Sequence, residues 1–180
     1  MKTVTEQLAQ YACYHRNRKN IATHLVGIPL IVFAIVSLLS RPQFAELAFM
    51  SITPALCVVV VAVLYYVRLD LRLGVLMAAL LALCLWGGSA LAATSTAMWL
   101  SWSLALFLVG WVWQFVGHYF EGRKPAFVDD IVGLVIGPLF VVAEVVFMLG
   151  LRPQLHQQVE ARVEQLMRDM PAASGSEARS

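Results

Sequence analysis

The chain has 180 residues, 60% of them hydrophobic and 13% charged, with a formal net charge of +2 and a mean hydropathy of +0.75. The length suits one domain, but the apolar excess excludes an ordinary soluble one, and so small a charge gives no basis for nucleic-acid binding. Charges avoid the long apolar runs, which predicts an integral membrane protein: an all-α polytopic helical bundle with four to six membrane segments, some re-entrant, plus interfacial amphipathic helices. Because these runs are continuously apolar rather than alternating, a closed β-barrel does not fit.

From Met1 to Asn20, the apolar residues Val4, Leu8 and Tyr11 recur at helical spacing and predict an amphipathic interfacial helix. The segment does not read as a cleavable leader, because it holds the densest polar motif of the chain, His15-Arg16-Asn17-Arg18-Lys19-Asn20, with His24 just beyond. On a straight helix His15 and His24 would be about half a turn out of phase. A shared centre therefore requires a bend between them, expected at Asn17 to Asn20. Leu25 to Ser40 is apolar but interrupted by Gly27-Ile28-Pro29, so Pro29 is expected to mark the true helix start, leaving His24 in an irregular segment. The remainder is short for a complete span, so it is tilted into a thin region, extended by flanking residues, or one arm of a hairpin with Phe44 to Met50, and Arg41-Pro42 is a turn or a helix start.

Ser51 to Val67 is the next apolar segment, with Tyr65-Tyr66 near its end and Arg68 to Arg72 as a tight interfacial loop. Leu73 to Ala93 and Met98 to Gly117 are uncharged runs of about 20 residues, each long enough for a hydrocarbon core of roughly 30 Å. Gly87-Gly88-Ser89 permits close helix contact. Trp99 and Trp102 lie near one end of the following span and Trp111 and Trp113 near the other, as aromatic belts or, for the second pair, as a pocket lining. After a polar bend ending at Asp129-Asp130, the run Ile131 to Leu149 is made irregular by Gly133, Gly137-Pro138 and Glu144. A carboxylate there needs a partner in the bundle, a place in an active site, or an interfacial position. Gln154 to Met170 carries a common apolar side and predicts an amphipathic helix. The chain thus divides into a membrane-embedded catalytic domain at 1–151, an amphipathic C-terminal helix at 152–170 and a disordered tail at 171–180. Cys13, Cys57 and Cys84 follow no metal-binding spacing and read as small buried residues without a disulfide framework.

Arg16, Arg18 and Lys19 place the N-terminus on the cytoplasmic side of a bacterial-type inner membrane or an ER-type membrane. Four crossings would return Arg68, Arg72, Arg123 and Lys124 to that side, so His15, His24 and His118 would share one interface. Around His118, the residues Trp111, Gln114, His118 and Glu121 fall on one helical face because their spacings are 3, 4 and 3. Imidazoles at this interface can coordinate iron or zinc, and a carboxylate can complete the set or orient a ligand. His15, His24 and His118 are the candidate ligands, with Glu121 as a further ligand or an orienting group, while His156 lies in a polar helical neighbourhood and is left outside the set. Local hydrogen bonding for His24 and lipid-phosphate binding for His15 are the competing roles. The basic residues can anchor to headgroups or attract a carboxylate substrate. The chain carries no zinc-protease motif, phosphate loop or nucleophile elbow.

The blocks His15-Arg16-Asn17-Arg18-Lys19-Asn20-Ile21-Ala22-Thr23-His24-Leu25-Val26-Gly27-Ile28-Pro29-Leu30 and Trp113-Gln114-Phe115-Val116-Gly117-His118-Tyr119-Phe120-Glu121-Gly122-Arg123-Lys124-Pro125-Ala126 resemble the signature blocks of the membrane 2-hydroxy fatty acid dioxygenases, whose fungal members act in phytosphingosine breakdown. The resemblance implies an Fe(II)-dependent enzyme that converts a long-chain 2-hydroxy fatty acid and O2 into a fatty acid one carbon shorter. It implies His15, His24 and His118 as iron ligands; His156 matches no block, so Glu121, His156 and Glu144 stay open for a fourth position. On this reading Arg16 or Arg123 neutralises the substrate carboxylate, Gln114, Asn17 or Asn20 positions its hydroxyl, and the tail runs against Trp111, Trp113 and Phe115. The rival readings are another metal-dependent lipid oxidase, such as a hydroxylase or desaturase, and a non-catalytic membrane scaffold or transporter. Chain-length preference and oligomeric state are left open by the sequence.

Overall fold

A computed structural model describes residues 2–47, 50–122 and 132–169. Helix α1 (Val4–Cys13) opens with Thr3, whose hydroxyl accepts from the Glu6 amide while the Glu6 carboxylate accepts from the Thr3 amide. This reciprocal cap satisfies two donors that a helix start leaves free. Its apolar stripe, Val4, Leu8 and Ala12, is buried and packs against α6 (Val132–Met148) and α7 (Pro153–Asp169). Helix α7 turns its own stripe, Leu155, Val159 and Val163, inward. The two helices expected to lie on the membrane surface thus cover each other.

The chain breaks at Tyr14–Asn17, three residues earlier than the expected bend, and α2 (Arg18–Ser40) begins under an Asn17 cap. Helix α2 is continuous through Pro29, which corrects a second expectation: His24 sits on regular helix rather than in an irregular lead-in. Inside an apolar bundle an unwound segment would leave several backbone groups unsatisfied, whereas carrying the helix past one proline forfeits one hydrogen bond.

Of the readings open for the short run Leu25 to Ser40, extension by flanking residues is the one realised, since α2 starts at Arg18; in place of a return arm a short antiparallel hairpin follows, β1 (Ala45–Leu47) with β2 (Met50–Ile52). Thr53 caps α3 (Pro54–Leu69), Asp70 caps α4 (Leu71–Ala92), and Ser95 caps α5 (Thr96–Glu121). Helix α5 runs unbroken past Gly117, so the expected shared face of Gln114, His118 and Glu121 is realised on one element. Gly122, at φ +69, then ends it in the left-handed conformation that glycine adopts at least cost.

Among the described residues three helices, α2, α4 and α5, are long and apolar enough to cross a membrane. Helices α6 and α7 form a pair bent by 120° that makes a fourth if it counts as one span, and α3 is a shorter apolar helix. The result is an all-α membrane bundle at or below the lower end of the expected four to six segments. Helices α2 and α5 form its tightest seam. A methyl group at Gly27 would lie 2.8 Å from the Gly110 carbonyl, and one at Gly110 would lie 2.9 Å from the Gly27 carbonyl. Small residues at such positions are what allow backbones to approach in a lipid environment. The buried hydroxyls of Ser37 and Ser103 bond across the same seam at 2.9 Å, and Gly88 brings α4 against the Ser37 backbone. Of the three cysteines only Cys13 is buried; Cys57 is exposed on α3. That correction follows from the apolar outer surface of a membrane bundle, where burial is not needed to keep a thiol from water.

Candidate metal centre

Three elements carry the histidines to one place. The turn after α1 presents His15, the second turn of α2 presents His24, and the last turn of the antiparallel helix α5 presents His118. One nitrogen from each lies within 4.8 Å of the others, and all three residues are buried. Their ring centroids are 4.7, 5.3 and 5.1 Å apart.

Two of the three rings have a defined partner on Nδ1. His15 Nδ1 donates to the Tyr11 carbonyl at 2.8 Å, and His24 Nδ1 donates to the Asn20 carbonyl at 2.9 Å. A carbonyl can only accept, so in these neutral rings the proton is on Nδ1 and the lone pair is on Nε2. Both Nε2 atoms, and His118 Nδ1, are buried without a hydrogen-bond partner among the described residues. Burial drives the His15 pKa down to about 4, outweighing the Tyr11 carbonyl that favours the charged form. The ring is therefore neutral at pH 7 with its lone pair available. Bare buried acceptors cost about 1–3 kcal/mol each when nothing occupies the space between them. Three converging imidazole nitrogens fit a first-row transition metal ion, and their carbonyl bonds resemble the outer contacts that fix ligand tautomers in metal sites.

Glu121 lies one turn beyond His118, with both oxygens taken up by the chain. Oε1 accepts from the Arg16 amide at 3.1 Å, and Oε2 accepts from the Asn17 amide and the Asn20 side-chain amide, both at 2.9 Å. Asn17 adds a bond to the Phe120 carbonyl at 2.8 Å. These four bonds clasp the His15 turn to the end of α5. The Arg16 guanidinium points the other way and pairs with Glu160 of α7 at 3.0 Å. Asn20 Oδ1 and Gln114 Nε2 are buried beside the trio without partners. His156 is not brought to the group; its ring stacks on Phe147 at 4.6 Å. Half-buried Glu144 has Arg16, His156 and Glu160 as its electrostatic neighbours. Arg123 and Lys124 lie outside the described residues.

From the trio a cavity of about 150 Å³ extends between α2, α5 and α6, lined by His15, His24, Gln114 and His118 at one end and by Ile28, Ile31 and Ile35 along its length. Trp111 lines it too, as one of the two expected readings had it. Trp113 and Phe115 do not: they are 41% and 56% exposed on another face of α5. Tyr11 and Gly137 complete the polar end, and neither was singled out as a site residue by the sequence. Tyr11 sits four residues before His15, a helical spacing that invited only an apolar-stripe reading.

The chain matches, over residues 1–149, the family described as Mpo1-like: 2-hydroxy-palmitic acid dioxygenase Mpo1-like. Among curated proteins it is 34% identical over 166 residues, 91% of each chain, to the 2-hydroxy-palmitic acid dioxygenase MPO1 of Saccharomyces cerevisiae. No solved structure matches it.

Proposed function

The chain belongs to the Mpo1-like 2-hydroxy-palmitic acid dioxygenase family, and on that premise we propose that it is a membrane-embedded, iron(II)-dependent enzyme of 2-hydroxy fatty acid α-oxidation. The observation that carries the metal assignment is the trio of buried, unpartnered imidazole nitrogens. His15, His24 and His118 would hold the ion. Zinc fits imidazole equally well but has no redox chemistry, and a reaction with O2 calls for a metal that does. Bound iron would supply that chemistry.

The chain's own residues supply orientation and exclusion of water. A 2-hydroxy acid and O2 balance against a fatty acid one carbon shorter, CO2 and water, with no external reductant; formate in place of CO2 and water would leave one oxygen atom unaccounted for. Selecting the C1–C2 bond then depends on holding the acid head group at the trio. Gln114 lines that end and offers an uncommitted amide nitrogen, while Asn17 and Asn20 are occupied in holding the clasp. A cavity of about 150 Å³ is smaller than the roughly 300–1,000 Å³ of sites that enclose a drug-sized ligand. It receives the head group and the first carbons, and the tail follows α2 towards the lipid. The histidines lie at the end of the bundle that carries Arg16, Arg18, Lys19, Arg68 and Arg72, which supports a cytoplasmic-side site.

The direct test supplies purified, iron-loaded protein with a long-chain 2-hydroxy fatty acid without oxygen and then admits isotopically labelled O2. The expected product is a labelled fatty acid lacking one carbon. Retained chain length with an added oxygen would instead identify a hydroxylase, and no conversion at any chain length by an iron-replete protein would overturn the enzymatic reading. His118→Ala is expected to lose both bound iron and turnover.

A further inference from the structure

Tyr11 touches the histidine group in three ways. Its carbonyl accepts from His15 Nδ1. Its ring lies flat on the His15 imidazole, with centroids 4.1 Å apart and planes 4° apart. Its phenol lines the cavity beside His24, Gln114 and His118. The hydroxyl is placed from the far side by α6: Phe140 packs on the ring at 4.7 Å, and a methyl group added at Gly137 would come within 3.1 Å of the hydroxyl oxygen. Glycine at 137 therefore keeps open the space in front of that oxygen. Among the described residues no protein group is hydrogen-bonded to it.

The chemistry of the cavity's polar end makes this hydroxyl informative. The three unpartnered imidazole nitrogens include two assigned lone pairs, which repel the oxygens of an acid unless a cation lies between them. A carboxylate or α-hydroxyl also needs hydrogen-bond donors once it leaves water. Arg16, the nearest guanidinium in sequence to the trio, is engaged outside by Glu160. Within the cavity, the donors include Gln114 Nε2 and the Tyr11 hydroxyl. We infer that the Tyr11 hydroxyl is the hydrogen-bond donor that positions the acid head group of the substrate beside the histidines, in the room left by Gly137. The assignment rests on the reading of the site as one for a 2-hydroxy acid.

Tyr11→Phe keeps the ring stacking and the backbone carbonyl and removes only the hydroxyl. Binding of 2-hydroxypalmitate to the iron-loaded full chain, measured by calorimetry without oxygen, should weaken by about tenfold to a hundredfold, as expected for loss of a hydrogen bond to a charged group. Iron content should be unchanged. Gly137→Ala places a methyl group against the hydroxyl while favouring the helix, and it should weaken binding in the same direction. Wild-type affinity in Tyr11→Phe would overturn the inference. So would loss of iron in that variant, which would show the phenol serving the histidines rather than the substrate. Failure of the wild-type protein to bind any 2-hydroxy acid would overturn the underlying reading of the site, and the assignment of Tyr11 with it.

Discussion

Glu121 commits both carboxylate oxygens to the Arg16 and Asn17 amides and the Asn20 side chain, and this makes it the residue through which α5 holds His15 in place. Removing it strands two backbone donors and an amide beside the trio. Groups of this kind typically alter metal affinity by about 10–100-fold. Glu121→Ala is therefore expected to weaken iron binding within that range in a competition titration against a chelator, and Glu121→Gln, which keeps one acceptor oxygen, to weaken it less. Equal, wild-type affinity in both variants would show that the clasp is irrelevant to the centre. The pairing of His118 with Glu121 was legible because three residues along a helix is a fixed geometry. What Glu121 accepts from was not legible, because its partners lie 101–105 positions away in the chain. Tyr11 escaped notice for a related reason: its apolar ring fits a helical stripe, while its hydroxyl acquires meaning only when α6 closes on it.

At the level of elements, α2 joins the polar and apolar ends of the site. His24, Ile28, Ile31 and Ile35 line one cavity because they recur at intervals of 4, 3 and 4 on an uninterrupted helix. The stripe extends about 16 Å along the axis. That extent follows from continuity through Pro29, which a sequence rule against interior proline argued against. The rule concerns helices in water, where an unwound turn can be solvated; here the seam with α5, closed by Gly27 and Gly110, favours unbroken backbone. Ile35 is at the lipid-facing end of the stripe and 38% exposed, so a larger side chain there can be accommodated without rebuilding the core. Each displaced methylene loses about 0.8 kcal/mol of burial. Ile35→Trp, by displacing about two of them, should lower kcat/KM for 2-hydroxypalmitate about tenfold and leave 2-hydroxyoctanoate unaffected. Equal losses on both substrates would place the tail elsewhere.

Across the whole molecule, the site depends on how the two terminal helices close over the bundle. Composition located α1 and α7 and their amphipathic faces, but could not distinguish a helix lying on lipid from two helices lying on each other, since both bury the same stripe. The decision is made at the bend between α6 and α7, where Gly150 and Arg152 adopt φ +71 and +56. The left-handed conformation is unfavourable at a non-glycine residue, and more so at one preceding proline. Arg152 is held there by a two-pronged pair with Asp70, at 3.0 and 2.8 Å, which ties the bend to the α3–α4 turn. Hydrogen bonding from Arg152 lowers the Asp70 pKa from its ordinary value despite the opposing effect of burial. The pair's contribution to stability is therefore complete above the unfolded carboxylate range, about 3.9, and is lost as pH falls through the lower folded value. Asp70→Asn separates this contribution from capping, because asparagine caps α4 as well as aspartate does. The variant should melt at a lower temperature than the parent at pH 7 in detergent. The gap should narrow as pH is lowered through the acid range, where the parent loses the same charge. A gap that persisted undiminished at the lowest pH would mean that the loss does not come from the charge Asp70 pairs with Arg152, and no gap at pH 7 would mean that Asp70 acts through its cap.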